Sequence, residues 1–237
     1  MASVLALRGP KAPAFLAVHA LLVPGAFALA AVACARLGVD RAVSDLVFDP
    51  VQGAFPARTW PLLELFGHRI AKSAVLALWL ALLAAAAVAP WVSHLSAHRR
   101  VLWATVAALA AGPLIVVALK GINSHPCPWD LKRYGGLADA SAVWFVPPSE
   151  AGRCFPSGHA SGGFSLVALA FAARAVGRRR LAVIGLALAL GAGVLAGAVR
   201  VAQGAHFVGH NLWSAAIAWC AAALVFAPLM RERGERP

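Results

Sequence analysis

The chain has 237 residues, 61% of them hydrophobic and 13% charged, whereas a soluble domain of this size covers its surface with roughly 25% charged residues. That composition excludes an ordinary soluble globule. Lysine and arginine number 21 against 9 carboxylates, a formal charge of +12, but the bases sit in short segments between apolar runs, a pattern of membrane orientation and not of nucleic-acid binding.

Crossing about 30 Å of hydrocarbon takes ~20 apolar residues in a helix. Runs of that kind predict spans over 14–35, 73–92, 101–119, 155–173, 181–199 and 207–230. No internal repeat interrupts them, so the expectation is one all-α domain over 1–237, a polytopic membrane helical bundle of about six transmembrane helices. Run one follows Arg8 and Lys11 and ends in Ala33, Cys34 and Ala35, which also fits a signal peptide. Its length, and the need of the other five for a partner, favour a retained span. The loop 36–72 carries Phe48, Phe55, Trp60, Leu62, Leu63, Leu65 and Phe66 among Gly53, Pro56 and Pro61, which predicts short helices at the interface.

Basic residues set the orientation. Arg8 and Lys11, then Arg99 and Arg100, then Arg174 and Arg178 to Arg180, and finally Arg231, Arg233 and Arg236 mark four segments as cytoplasmic. Both termini then face the cytoplasm, and the loops 36–72 and 120–154 and the turn 200–206 face the other side. Asp40, Asp45, Asp49, Glu64, Asp130, Asp139 and Glu150 fall in the two long loops, in agreement. Cys34 and Cys220 lie inside apolar runs and read as small hydrophobes. Cys127 and Cys154 share a polar loop on the oxidising side, so a disulfide between them is expected.

Three polar clusters end up on that same side. They are Lys120 to Asp130, Pro156-Ser157-Gly158-His159, and Arg200 to His210 with His206 between. Ionisable groups at membrane depth are costly and usually functional. A helix starting near Ser157 offers free backbone N–H groups, and Lys120 and Arg200 add two cations, so the ligand should be an anion with several oxygens, most simply phosphate. One neutral imidazole as nucleophile and a second as proton donor would permit phosphoryl transfer through a phosphohistidine.

These residues resemble the signature of the type 2 phosphatidic acid phosphatase (PAP2) superfamily, which shares its site with vanadium haloperoxidases. The family pattern is K-x6-R-P, then P-S-G-H, then S-R-x5-H-x3-D. Residues 156–159 match in full, Arg200 and His206 have the required spacing, and Lys120 precedes Pro128 at the required distance. The resemblance implies a PAP2-like helical core with its motifs within 120–210. His206 would be the nucleophile and His159 the acid, with Lys120, Ser157, Gly158 and Arg200 holding phosphate. It implies no metal and no other cofactor. The stretches Cys-Pro-Trp-Asp-Leu and Gln-Gly-Ala-His-Phe resemble a divergent bacterial membrane-associated subgroup, which implies a multi-pass protein of the inner membrane with a periplasmic site.

Three positions depart from the pattern. Cys127 stands for the first-motif arginine, Val199 for a serine and His210 for the final aspartate. That aspartate orients the nucleophile in the family. His210, one helical turn from His206, or Asp130 would take its role. Arg133, Lys132 or Arg153 would replace the arginine, and His125 is a further candidate site residue.

The remaining histidines, His19, His68, His94 and His98, read as structural. The leading expectation is a lipid-phosphate phosphatase or phosphotransferase. A histidine-ligated metalloprotein using His206, His210 and His159, and a non-catalytic lipid-phosphate-binding relative, are the alternatives. In all three readings the bilayer is a partner and nucleic acid is not.

Overall fold

The computed structural model describes residues 12–140 and 142–235, with side chains except at 12, 66–68 and 232–235. Arg8, Lys11 and Arg236 of the orientation pattern, and the side chains of Phe66, His68 and Arg233, lie outside the described residues.

The described chain is helical, with isolated bridges such as that between Asn123 and Trp144 in its loops. Among the described residues five helices are long and apolar enough to cross a membrane: α1 (Pro13–Arg36), α3 (Ala71–Trp91), α4 (Arg99–Lys120), α7 (Arg179–Ala202) and α8, whose span is Val208–Arg231. Between α1 and α3 lies α2 (Val39–Val47), followed by a 3-10 turn over Pro56–Thr59 and a π-type stretch over Leu63–Ile70. These are the short elements expected of the loop 36–72.

The fourth expected span differs. Residues 158–175 form two helices, α5 (Gly158–Phe164) and α6 (Val167–Ala175). The break has a local cause. Ser161 and Ser165 hydroxyls donate to the carbonyls of Gly158 and Gly162, and Leu166, Ala168 and Leu169 N–H groups bond three residues back, so the chain tightens at the seam. Both halves pack on α7. A Cβ at Gly163 would meet the Gly193 backbone nitrogen at 2.5 Å, so glycine is required where α5 and α7 touch.

Helix α8 is the hub, packing on α1, α4, α5 and α6. Its buried face is mostly alanine, with Trp219 and Phe226 filling the core against Phe15 and Phe171. A Cβ at Gly112 of α4 would lie 2.7 Å from Ala218 Cα, which shows how closely small residues let these two helices approach. Leu181, Ile184, Leu188 and Leu195 of α7 point outward, an apolar belt that suits lipid and not water.

Candidate active site

The three polar clusters meet at one end of the bundle. Ser157 is fully buried and caps α5, its Oγ accepting from Ala160 N–H. Ser157 N–H donates to the His210 carbonyl at 3.3 Å, and Ser214 Oγ donates to the Ser157 carbonyl at 2.8 Å, which stitches the start of α5 to the start of α8. Lys120 ends α4, and its Nζ would lie 3.7 Å from a Cβ built at Gly158. An ammonium thus stands beside the start of a helix at Gly158, where the backbone N–H groups and the dipole favour an anion.

Arg200 closes α7. Its Nη1 donates to Gln203 Oε1 at 2.8 Å, and its guanidinium lies 5.5 Å from the centre of the Trp129 ring. Its buried Nε–H has no protein acceptor. His206 follows, its N–H bonded to the Arg200 carbonyl and its ring buried. Burial, then His210, Lys120, Arg200 and His159 in that order, hold the His206 imidazole well below its ordinary pKa, so the ring is neutral at neutral pH. His210 packs with His206 at 5.8 Å between ring centres and is walled by Phe155 and Phe207.

Cys127 and Cys154 form a disulfide, their Cα atoms 5.2 Å apart. Cys154 Sγ lies 3.5 Å from His206 Nδ1 and 3.9 Å from His210 Nδ1. The bridge therefore does more than tie the first motif to the second, because its sulfur faces both imidazoles. Each of the three residues brings one donor atom within 4.8 Å of the others, but a disulfide sulfur is not the thiolate that ligates metals.

The chain matches the family model of the PAP2 superfamily over residues 101–233, more than half its length. It belongs to the PAP2 superfamily. No curated protein and no solved structure matches it. This PAP2 protein is a multi-pass membrane protein, and the matched region runs from α4 to α8, with all three motifs inside it.

The candidates for the departed motif residues are spread apart. Arg133 forks onto Asp45 at 2.8 and 3.1 Å, an exposed pair that ties the 120–154 loop to α2. Lys132 pairs with Asp139. Arg153 is exposed with a φ of 54°. Asp130 is exposed too, and its Oδ2 accepts from Cys127 N–H at 3.4 Å. His125 is closer to the pair: it stacks on Phe155, the ring that walls His210, and burial lowers its pKa. A cavity of about 470 Å³ opens on this flank, lined by His125, His210, Phe207, Tyr134 and Arg41.

Several residues at the site were not singled out by the sequence. Asn123 is fully buried; its Nδ2 donates to the Leu119 and Phe155 carbonyls at 2.6 and 2.8 Å, and its Oδ1 accepts from His125 N–H and Nδ1–H. Trp129 donates its N–H to the Gly204 carbonyl and is covered by Arg58 at 4.4 Å on one contact and Arg200 on another. Asp40 of α2 accepts from Gly209 N–H at 2.8 Å at the start of α8. Burial raises its pKa, against the pull of the two N–H donors at Gly209 and Val208.

Proposed function

We propose that this protein is a lipid-phosphate phosphatase or phosphotransferase working through a phosphohistidine. Lipid phosphatase-type chemistry is what membership of the superfamily carries. The observation that supports the mechanism best is His206, its pKa lowered first by burial and then by His210, Lys120, Arg200 and His159, beside the Lys120 ammonium at the Gly158 helix start.

In this reading His206 Nε2 attacks phosphorus with its lone pair while the proton stays on Nδ1, which faces the Cys154 sulfur at 3.5 Å. The N–P bond forms, the P–O bond to the lipid breaks, and His159 gives its proton to the departing oxygen. Water then attacks the phosphohistidine, losing a proton to the now neutral His159, and His206 leaves. Replacing water by an acceptor hydroxyl gives phosphotransfer. Lys120, Arg200 and the α5 N–H groups meet the charge that builds on the equatorial oxygens. Ser157 Oγ, already accepting from Ala160, retains its O–H for the phosphate.

The substrate is a lipid phosphate or diphosphate whose tail stays in the outer leaflet. With basic segments cytoplasmic, the site faces the periplasm of a bacterial inner membrane and both termini face the cytoplasm. His210 and the disulfide sulfur stand in for the missing aspartate. The test is phosphate release from a panel of lipid phosphates in detergent micelles, with phosphate-labelled substrate to trap an acid-labile phosphoprotein. His206→Ala should abolish both signals. Turnover that persists in that variant would overturn the reading.

A further inference from the structure

We propose that reducing the Cys127–Cys154 disulfide converts the buried histidine pair into a divalent-metal site, with Cys154 thiolate, His206 and His210 as ligands and zinc as the fitting ion. The disulfide alone withholds the third ligand. A dithiol reductant supplies two electrons and two protons and becomes a disulfide itself; the S–S bond breaks and each cysteine sulfur takes one proton. Metal binding then displaces the Cys154 proton to solvent.

The two sulfur–nitrogen separations are close to what the ion needs, and all three donors lie within 4.8 Å of one another. Zinc held at about 2.3 Å by sulfur and about 2.0 Å by imidazole nitrogen, at tetrahedral angles, separates those donors by about 3.5 Å. The sulfur here lies 3.5 and 3.9 Å from the two Nδ1 atoms. All three side chains are buried, at 0%, 4% and 7% exposure for Cys154, His206 and His210, so no large rearrangement is needed to exclude bulk water.

Each ligand is also anchored without the disulfide. Asn123 holds the Phe155 carbonyl next to Cys154. The His206 N–H is bonded to the Arg200 carbonyl, and the His210 carbonyl accepts from Ser157 and Ser214. Lys120 and Arg200 oppose a bare dication near His206, yet they favour the thiolate, whose charge offsets part of the metal's. Three protein ligands leave a fourth position for water or a phosphate oxygen.

A metal on His206 Nδ1 would draw electron density from the ring and silence it as a nucleophile. That consequence rests on the proposed phosphohistidine reading; the metal site does not, so binding and activity are measured separately. Purified full-length protein in detergent is desalted after exposure to zinc, and metal is counted per chain. Cobalt provides a second probe through its thiolate charge-transfer absorption.

Oxidised protein should retain no zinc, and reduced protein one per chain. Cys127→Ser, which frees Cys154 permanently, should retain one zinc with no reductant and show the cobalt–thiolate band. Cys154→Ser should do neither in either redox state. Absence of zinc from a Cys127→Ser protein that keeps its helical circular dichroism, or equal zinc in Cys154→Ser, would overturn the proposal. Should Cys127→Ser misfold, reduced wild type decides alone, and a reduced chain that loses its helicity overturns the proposal as well.

Discussion

Asn123 joins two motifs that the chain separates, and its removal has a calculable cost. Asn123→Ala deletes donors to the Leu119 and Phe155 carbonyls and the acceptor for His125 N–H and Nδ1–H. The Leu119 carbonyl keeps its bond from Ile122 N–H, so the Phe155 carbonyl and the His125 backbone N–H bear most of the loss. A buried polar group left unsatisfied costs about 1–3 kcal/mol, so the two give roughly 2–6 kcal/mol for the variant. For a chain of this size that is a fall of roughly 4–24 °C in melting temperature. The disulfide still links the segments, so the chain should fold while Lys120 and Ser157 lose their common brace. Thermal unfolding in detergent gives the stability, and phosphate release gives kcat. Asn123→Asp, which puts a carboxylate oxygen where Nδ2 donated to the Leu119 and Phe155 carbonyls, should destabilise at least as much as alanine if the bonds are the cause. An alanine variant with unchanged melting and unchanged turnover would refute the reasoning.

Other predictions concern the site and its supports. His206 must be neutral to attack, and its pKa is depressed, so the acid limb of kcat/KM should centre below about 6.5; Lys120→Met removes a depressing charge and should shift the residual limb upward. Because the unfolded chain takes up the proton first, stability should fall as pH drops through about 6.5 toward the folded-state value, seen in melting curves taken across that range. His210→Ala should lower kcat far more than it alters KM, and His210→Asp should preserve turnover; full activity of the alanine variant would remove His210 from the mechanism. Gly163→Ala pushes a methyl against the Gly193 backbone and should destabilise by about 1–3 kcal/mol, read as a lower melting temperature. Arg58→Ala should raise KM more than it lowers kcat, since Arg58 meets the site through the Trp129 ring that Arg200 also approaches; the Michaelis constants of the two proteins decide it.

The spans were legible because they depend on local composition: five of the six apolar runs are single helices close to the expected bounds. The remaining one, the fourth, broke for a reason written in its own residues, Ser161-Gly-Gly-Phe-Ser165, where two hydroxyls bond back to the helix carbonyls. Hydropathy averages over such a run and is blind to it. The motif residues were legible for the same reason as the spans, since each lies in a short contiguous pattern at a helix end. Asn123, Arg58 and Trp129 were not, because what makes them matter is a partner from another segment.

The missing aspartate shows where sequence search loses its reach. No carboxylate occurs between Ala151 and Arg231, so nothing near His210 in the chain can supply the negative charge that the family pattern puts there. The fold brings one from the other end: Asp40 of α2 accepts from Gly209 N–H, one residue before His210 and 169 residues away in sequence. At that position the carboxylate meets the positive end of the α8 dipole and pairs with N–H groups at the helix start. It therefore fixes the turn that carries both histidines, while the disulfide sulfur faces their Nδ1 atoms. In this chain the charge that caps the helix and the atom that faces the nucleophile come from two different segments, and each contact can be broken by a separate substitution.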